Sequence, residues 1–146
     1  MSRPSRCAIP LPRRFRPDDI LAFHRRDPQE VAERVAGDRL DKGIVWNGVP
    51  ARLTLRFQPR IVEAELAVDG GPGAADDAAL ERLARRMLGL DQDIEGFERK
   101  FSRHPQLAVL IERKRGLRVP VAATPFEALT WAVTGQQVSV KAAVAA

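Results

Sequence analysis

Residues 44–57, IVWNGVPARLTLRF, place an Asn47-Gly48 pair between two runs of apolar and β-branched residues. Asparagine and glycine tolerate the positive φ angles that a tight hairpin turn requires, so the stretch predicts a β-hairpin. In its second arm, three apolar residues alternate with three polar ones: Leu53, Leu55 and Phe57 with Arg52, Thr54 and Arg56. This alternation predicts an antiparallel sheet with one face in water.

The segments on either side of the hairpin extend this sheet. Residues 62–68 alternate between apolar and acidic or small side chains, which predicts another strand. Residues 1–16 form a basic arm spaced by prolines, where we expect only a short edge strand over residues 7–11, because proline removes backbone donors. Pro17, Asp18 and Asp19 predict a helix start, and the helix should end near residues 27–28.

Residues 29–40 fit two structures. Val31 and Val35 fall on one face of a helix, but Val31, Glu33 and Val35 also alternate as in a strand. The pattern by itself favours a helix.

The periodicity changes after a glycine-rich stretch at residues 69–75. From residue 76 onward apolar residues recur every three or four positions, which predicts four helices. Their stripes are Leu80, Leu83, Ala84, Met87 and Leu88; Ile94, Phe97 and Phe101; Leu107, Leu110 and Ile111; and Phe126, Leu129, Thr130 and Val133. Thr124 predicts the N-cap of the fourth helix, with Pro125 in the first turn and Glu127 completing a capping box. Residues 135–137 predict a polar loop before one more helix that starts at Val138 and runs to Ala146.

Composition restricts the class of protein. The 146 residues are 45% hydrophobic and 29% charged, an ordinary balance for a globular chain. No apolar run approaches the roughly 18 residues that cross a bilayer, and no secretory signal is recognisable. Cys7 is the single cysteine and no Cys/His cluster has zinc spacing, so we expect a cytoplasmic protein without metal or cofactor. The net charge of +5 permits a nucleic-acid partner, although an arginine-rich composition explains it equally well.

Few side chains suggest chemistry by their spacing. Asp18 and Asp19 are adjacent on a helix and do not face each other, so helix capping explains them better than paired acids. His24 and His104 have no metal-ligand pattern. Phe23 and Trp46 are expected in the core by default. The Gly135-Gln136-Gln137 stretch is explained by a helix cap and linker, or by a polar loop that contacts a partner.

One stretch resembles a known family. Residues 124–143, TPFEALTWAVTGQQVSVKAA, resemble the first helices of the helix-hairpin-helix DNA glycosylases, and most closely the AlkA-type 3-methyladenine DNA glycosylase II. Residues 116–120, GLRVP, precede it as in that family. The first 70 or so residues are similar to the family's N-terminal domain, whose helix carries the pattern seen here as Ile20-Leu21-Ala22-Phe23. The resemblance implies a strand rather than a helix over residues 30–40.

The resemblance also implies a fold and a domain organisation. We expect an α+β fold, with a small antiparallel sheet and helices on one face, followed by the first helices of an all-α glycosylase domain. The expected parts are a basic arm and edge strand at 1–16, an AlkA-like N-terminal domain at 7–73 and the start of the helical domain at 74–146. Because the last helix stops soon after it begins, we expect the chain to be a fragment that ends before the hairpin.

The implied activity is hydrolysis of the N-glycosidic bond of alkylated bases, such as 3-methyladenine, in double-stranded DNA. Such an enzyme flips the base from the duplex, stacks it on aromatic side chains and fills the gap with a wedge. Phe23 matches a base-pocket aromatic of the family, Gln137 matches the wedge position and Gln136 its neighbour.

The resemblance assigns no catalytic residue within this chain. The family's catalytic aspartate has no counterpart here and is expected beyond Ala146, the last residue of the sequence. The resemblance also implies a monomer when complete, no cofactor and no membrane association.

Two other functions remain open from the sequence. The chain could be a non-catalytic DNA-binding or regulatory module that keeps the sheet domain, or a structural domain with a coincidental basic charge.

Overall fold

The computed structural model describes residues 4–26, 28–70 and 76–137, except the side chain of Gln137. This part of the chain forms an α+β fold. Its strands are β1 (Ser5–Pro10), β2 (Glu33–Ala36), β3 (Arg39–Trp46), β4 (Val49–Gln58) and β5 (Ile61–Val68). Its helices are α1 (Pro17–His24), α2 (Asp77–Met87), α3 (Ile94–Phe101), α4 (Leu107–Arg113) and α5 (Pro125–Gln137).

The strands form one antiparallel sheet in the order β1-β5-β4-β3-β2. The predicted hairpin is its centre, because β3 and β4 pair along their length up to Trp46 and Val49. At the turn between them, Asn47 has φ 49° and Gly48 has φ 81°. Positive φ at both central residues matches the twist of the flanking strands, so the Asn-Gly prediction is confirmed.

One face of the sheet is covered and the other is open. Leu53, Leu55 and Phe57 lie opposite Leu66, Ala64 and Val62, and all six are buried. The open face carries charged side chains that pair across it, such as Arg6 with Glu65 at 2.7 Å and Arg39 with Asp41 at 2.7 Å. The predicted sheet with one wet face is therefore confirmed.

Two helices cover the apolar face. Helix α1 contributes Ile20 and Leu21 to the core, and α2 contributes the predicted stripe of Leu80, Leu83, Ala84, Met87 and Leu88. Helix α2 packs on β1 and β5, and Asp77 accepts a hydrogen bond from the Arg6 backbone at 3.1 Å. The first helix after the 69–75 stretch thus shares one core with the sheet.

The helical interpretation of residues 29–40 was wrong, and the strand that the resemblance implied is confirmed. Glu33–Ala36 pairs with Arg39–Lys42 on the sheet edge. The pattern misled because its inward positions are Glu33 and Val35, whereas Val31 is 81% exposed. In a hydrophobic pattern, a glutamate is interpreted as a solvent-exposed residue. The buried side of this strand could therefore not be recognised from the sequence.

The prediction of a loop at residues 135–137 is also wrong, because α5 continues through Gly135 and Gln136 to Gln137. A Cβ at Gly135 would have no atom within 4 Å, so the space beside the helix is open at this position. The Thr124 cap is confirmed, since its hydroxyl accepts a 3.1 Å hydrogen bond from the Glu127 N–H.

The further helix expected from Val138 to Ala146 lies outside the described residues. No helix in the described ranges is long and apolar enough to cross a membrane.

Candidate functional site

Phe23 lies on the last turn of α1, beside the edge of the sheet that β2 forms. Its side chain is half-buried rather than enclosed in the core. The His24 ring meets it edge-on, with centroids 5.0 Å apart and planes at 89°. The guanidinium carbon of Arg26 lies over the ring, 3.6 Å from its centroid. One face of Phe23 is therefore stacked on a planar cation.

A second aromatic ring, Trp131 of α5, faces the same guanidinium at 4.7 Å. Among the aromatic residues, the sequence pattern pointed to Phe23 and Trp46 and not to Trp131. Its position four residues after Glu127, on the same helical face, was visible. Nothing in the pattern, however, linked α5 to α1, so the approach of both rings to Arg26 was visible only in the tertiary structure.

A buried polar network fixes the elements that carry these rings. Glu33 Oε2 accepts from His24 Nδ1 at 2.6 Å and from Lys42 Nζ at 3.0 Å. Lys42 also donates to Glu127 Oε1 at 2.8 Å. The other oxygen of Glu127 accepts from the Ala123 N–H at 3.1 Å. The network therefore joins α1, β2 and β3 to the first turn of α5.

The electrostatics of this network favour the ionised form of Glu33. Burial alone would raise the pKa of Glu33, but hydrogen bonds and charges from His24 and Lys42 hold it below its ordinary value. Burial lowers the pKa of the Arg26 guanidinium, and the nearby Glu33 and Glu127 carboxylates act in the opposite direction. Both acids are thus bound to cations, which suits them for positioning rather than proton transfer.

An open groove of about 960 Å³ adjoins the network, between the β3–β4 hairpin and the first turns of α5. Its lining is largely apolar and includes Val31, Ile44, Phe126 and Trp131, with Lys42 and Glu127 at its polar side. Phe126 is 79% exposed there. The groove can accept a flat apolar group next to the paired charges.

The two amides predicted as the wedge lie at the end of α5. Gln136 is exposed, a little over one helical turn beyond Trp131, and Gln137 is the last residue of the helix within the described ranges. Their role as a wedge stays a prediction, as does the role of Phe23 in a base pocket. The expectation that the catalytic aspartate lies beyond Ala146 also stays a prediction, because it concerns no residue of this sequence.

Other chemistry finds little support in the described residues. They hold no group of three or more His, Cys, Asp or Glu that could bind a metal. Burial raises the pKa of the Cys7 thiol to about 11, with a contribution from Glu81 and Asp77, so this thiol stays protonated at neutral pH. Asp19 is bound by Arg16 at the start of α1. The unusual feature of this region is the guanidinium of Arg26, which contacts the rings of both Phe23 and Trp131.

Comparison with known proteins relates this chain to a family. No curated protein sequence matches the chain. The fold is similar to that of a 3-methyladenine DNA-glycosylase from Archaeoglobus fulgidus, with a TM-score of 0.74 and 20% sequence identity. That likeness covers 94% of this chain and 47% of the archaeal one, so the chain spans about half the length of this structural relative. The sequence profile of the AlkA N-terminal domain matches residues 9–124, which is most of the 146. The chain therefore belongs to the AlkA N-terminal domain family.

Proposed function

We propose that this chain is the N-terminal part of a DNA glycosylase of base-excision repair, which hydrolyses the N-glycosidic bond of alkylated bases such as 3-methyladenine. The observation that carries the proposal is the half-buried ring of Phe23, stacked on a planar cation at the edge of the fold. An alkylated base is a planar, electron-poor and often cationic group, and enzymes that flip bases bind them between aromatic faces. Family membership supports the same function.

Phe23 is proposed as one wall of the base pocket. The edge-on contact with His24 and the anchoring of His24 by Glu33 keep the ring at a fixed angle. A pre-positioned ring loses little freedom when a base stacks on it, which favours binding. Gln137, with Gln136 beside it, is proposed as the side chain that enters the duplex where the base has left.

No described carboxylate is proposed as catalytic. Glu33 and Glu127 both bind Lys42, and removing either charge would leave this buried cation with one carboxylate instead of two. The carboxylate that stabilises the positively charged sugar, and the helix-hairpin-helix that binds phosphates, are proposed to follow Ala146 in the complete protein. The proposed partner is double-stranded DNA. The complete protein is proposed to be a cytoplasmic monomer.

Base release tests this function directly. The complete protein and residues 1–146 are incubated separately with duplex DNA that contains 3-methyladenine, and the released base is quantified. We expect release by the complete protein and none by residues 1–146, because the resemblance places the aspartate after Ala146.

Two outcomes contradict the proposal. Release by residues 1–146 at stoichiometric protein would show that the chemistry lies within this chain. Salt-dependent DNA binding by the complete protein without any release would instead favour a non-catalytic DNA-binding module.

A further inference from the structure

Lys42 is a buried cation that binds carboxylates from two different parts of the chain. It belongs to β3, and its side chain is 4% exposed. Its Nζ atom donates to Glu33 Oε2 of β2 at 3.0 Å and to Glu127 Oε1 of α5 at 2.8 Å. Glu33 is the cross-strand neighbour of Lys42, whereas Glu127 is 85 residues away in the sequence. The ammonium group therefore bonds the sheet to a distant helix.

The carboxylate of Glu33 extends this connection to α1. Its Oε2 atom also accepts from Nδ1 of the buried His24 at 2.6 Å. His24 is the last residue of α1 and follows Phe23 directly. One continuous set of hydrogen bonds thus runs from the end of α1, through Glu33 and Lys42, to Glu127 in the first turn of α5.

Helix α5 depends on this connection more than α1 and α2 do. The described side chains of α5, those of residues 125–136, include no buried one. By contrast, α1 and α2 bury apolar side chains in the core that they share with the sheet. Apolar packing therefore does little to fix the position of α5, whereas the bond between Glu127 and Lys42 ties its first turn to β3.

Stability alone does not explain a lysine in this place. The cost of removing charges from water offsets much of the attraction in a buried ion pair, so Lys42→Met would fill a similar volume without that cost. What the ammonium group adds is direction, because its three donors can bind two carboxylates at defined places. Such a group sets the distance between the elements that carry those carboxylates.

We propose that Lys42 is a positioning residue, which sets α5 relative to the end of α1. Helix α5 carries Gln136 and Gln137, the proposed wedge, and α1 carries Phe23, the proposed wall of the base pocket. The wedge and the pocket must act on the same nucleotide, and a displacement of about 1 Å can slow a reaction roughly a hundredfold. The inference rests on the proposed function for the roles of the two helices, and on the contacts of Lys42 for their connection.

Single-turnover excision of 3-methyladenine by the complete protein tests this role, with the affinity for undamaged duplex DNA measured on the same samples. Glu127→Gln weakens the bond to α5 and leaves Lys42 its ion pair with Glu33. Lys42→Met removes both ion pairs, and Lys42→Arg keeps a cation that can bind carboxylates. Glu65→Gln is the matched control, because the ion pair of Glu65 with Arg6 at 2.7 Å lies on the open face of the sheet.

We expect folded Glu127→Gln and Lys42→Met to excise about 10- to 100-fold more slowly than the parent. The affinity for DNA should not change, because Lys42 is buried and phosphate contacts supply most of the affinity. A purely structural role would lower the melting temperature without slowing the folded protein. Lys42→Arg should excise faster than Lys42→Met, and Glu65→Gln should excise like the parent.

Hydrogen exchange of residues 1–146 tests the connection without DNA. The amides of α5 should exchange about tenfold faster in Lys42→Met than in the parent, because a hydrogen bond between charged groups is lost. Glu65→Gln should leave the exchange of α5 unchanged. Unchanged exchange of α5 in both Lys42→Met and Glu127→Gln would overturn the proposal.

Excision at the parent rate by folded Glu127→Gln and Lys42→Met would also overturn it. If Lys42→Met does not fold, Glu127→Gln decides by itself, because it keeps one of the two ion pairs of Lys42. Absence of excision by the parent contradicts the proposed function instead, and the exchange of α5 then decides whether Lys42 positions the helix. The two failures are therefore distinguishable.

Discussion

Glu33 faces the covered side of the sheet, opposite Lys42 in the β2–β3 register, and is only 8% exposed. A carboxylate in this position is stable only because His24 and Lys42 donate to it. The three residues together form a polar region at the edge of an otherwise apolar core. That region holds the end of α1, and therefore Phe23, against the sheet.

The ionisation of Glu33 should couple stability to pH. Because its pKa is lower in the folded than in the unfolded chain, the stabilisation is present above the ordinary glutamate pKa of about 4.5 and is lost as the pH falls below it. We expect Glu33→Gln to cost about 1–3 kcal/mol at neutral pH, less than the roughly 3–5 kcal/mol of an unpaired buried charge, because Lys42 keeps its ion pair with Glu127. It should also make stability less dependent on pH below about 4.5.

Urea unfolding between pH 3 and 7 measures both effects. Glu63→Gln is the matched control, because Glu63 is half exposed and its nearest cation, Arg56, lies 4.0 Å away. Its cost should stay below about 1 kcal/mol. A cost for Glu33→Gln as small as that of the control would show that the buried network contributes little.

Single residues also show where sequence pattern stopped being informative. Asn47 and Gly48 fixed a turn by their own backbone preferences, so local chemistry was enough to predict it. Glu33 and Trp131 gained their meaning only from partners that are distant in the sequence, Lys42 and Arg26. Periodicity treats a glutamate as a solvent position and a lone tryptophan as core. Neither local backbone preference nor hydrophobic periodicity could therefore predict the contacts that form the site.

The helices after residue 76 differ in how they are held. Helix α2 buries Leu80, Leu83, Ala84 and Met87 against the sheet, whereas α3 and α4 bury no residue. All three had comparable apolar stripes in the sequence. The stripe predicts that a helix forms and which side is apolar, but it carries no information on whether another element covers that side.

Native-state hydrogen exchange should separate α2 from α3 and α4. Because amides are protected in proportion to the packing that must open, we expect α2 to exchange with β4 and β5 as one stable unit. The amides of α3 and α4 should exchange earlier, at a smaller opening free energy. Exchange resolved by mass spectrometry of short peptides measures this.

The opposite pattern would contradict the packing. If α2 exchanged together with α3 and α4, the stable unit would end at the 69–75 stretch, where the glycine-rich sequence placed the domain boundary. That boundary stays a prediction, and the shared core of α2 and the sheet indicates that the structural unit extends past it.

At the scale of the molecule, the chain combines a sheet that is covered on its apolar face with a helix, α5, whose apolar side chains are exposed. Phe126, Leu129 and Val133 are 79%, 63% and 60% exposed. The Thr124 cap stabilises the first turn of α5, and the ion pair of Glu127 with Lys42 holds this turn to the sheet and leaves the apolar side exposed. Trp131 projects from the same helix toward Arg26. The helix therefore links Lys42 of the sheet, through Glu127, to the aromatic contacts of Arg26.

The resemblance of the sequence anticipated this arrangement further than its periodicity did. It correctly assigned a strand within residues 30–40 and the family, while the position of Phe23 in a base pocket stays a prediction. The structure adds that Phe23 is half-buried. Neither the expected core position nor the resemblance to the family had predicted this partial exposure.

Phe23→Ala in the complete enzyme tests this central claim most directly, with melting temperature and single-turnover excision of 3-methyladenine measured on the same sample. Loss of stacking is worth about 1–3 kcal/mol, so excision should slow roughly tenfold to hundredfold while stability changes modestly. Phe15→Ala is the matched control, because Phe15 is half-buried and stacks on Phe57 of the core at 6.2 Å. It should lower the melting temperature and leave the excision rate of the folded protein unchanged. If Phe23→Ala behaved like Phe15→Ala, with stability lost and normal excision by the folded fraction, Phe23 would be a core residue and would not line a base pocket.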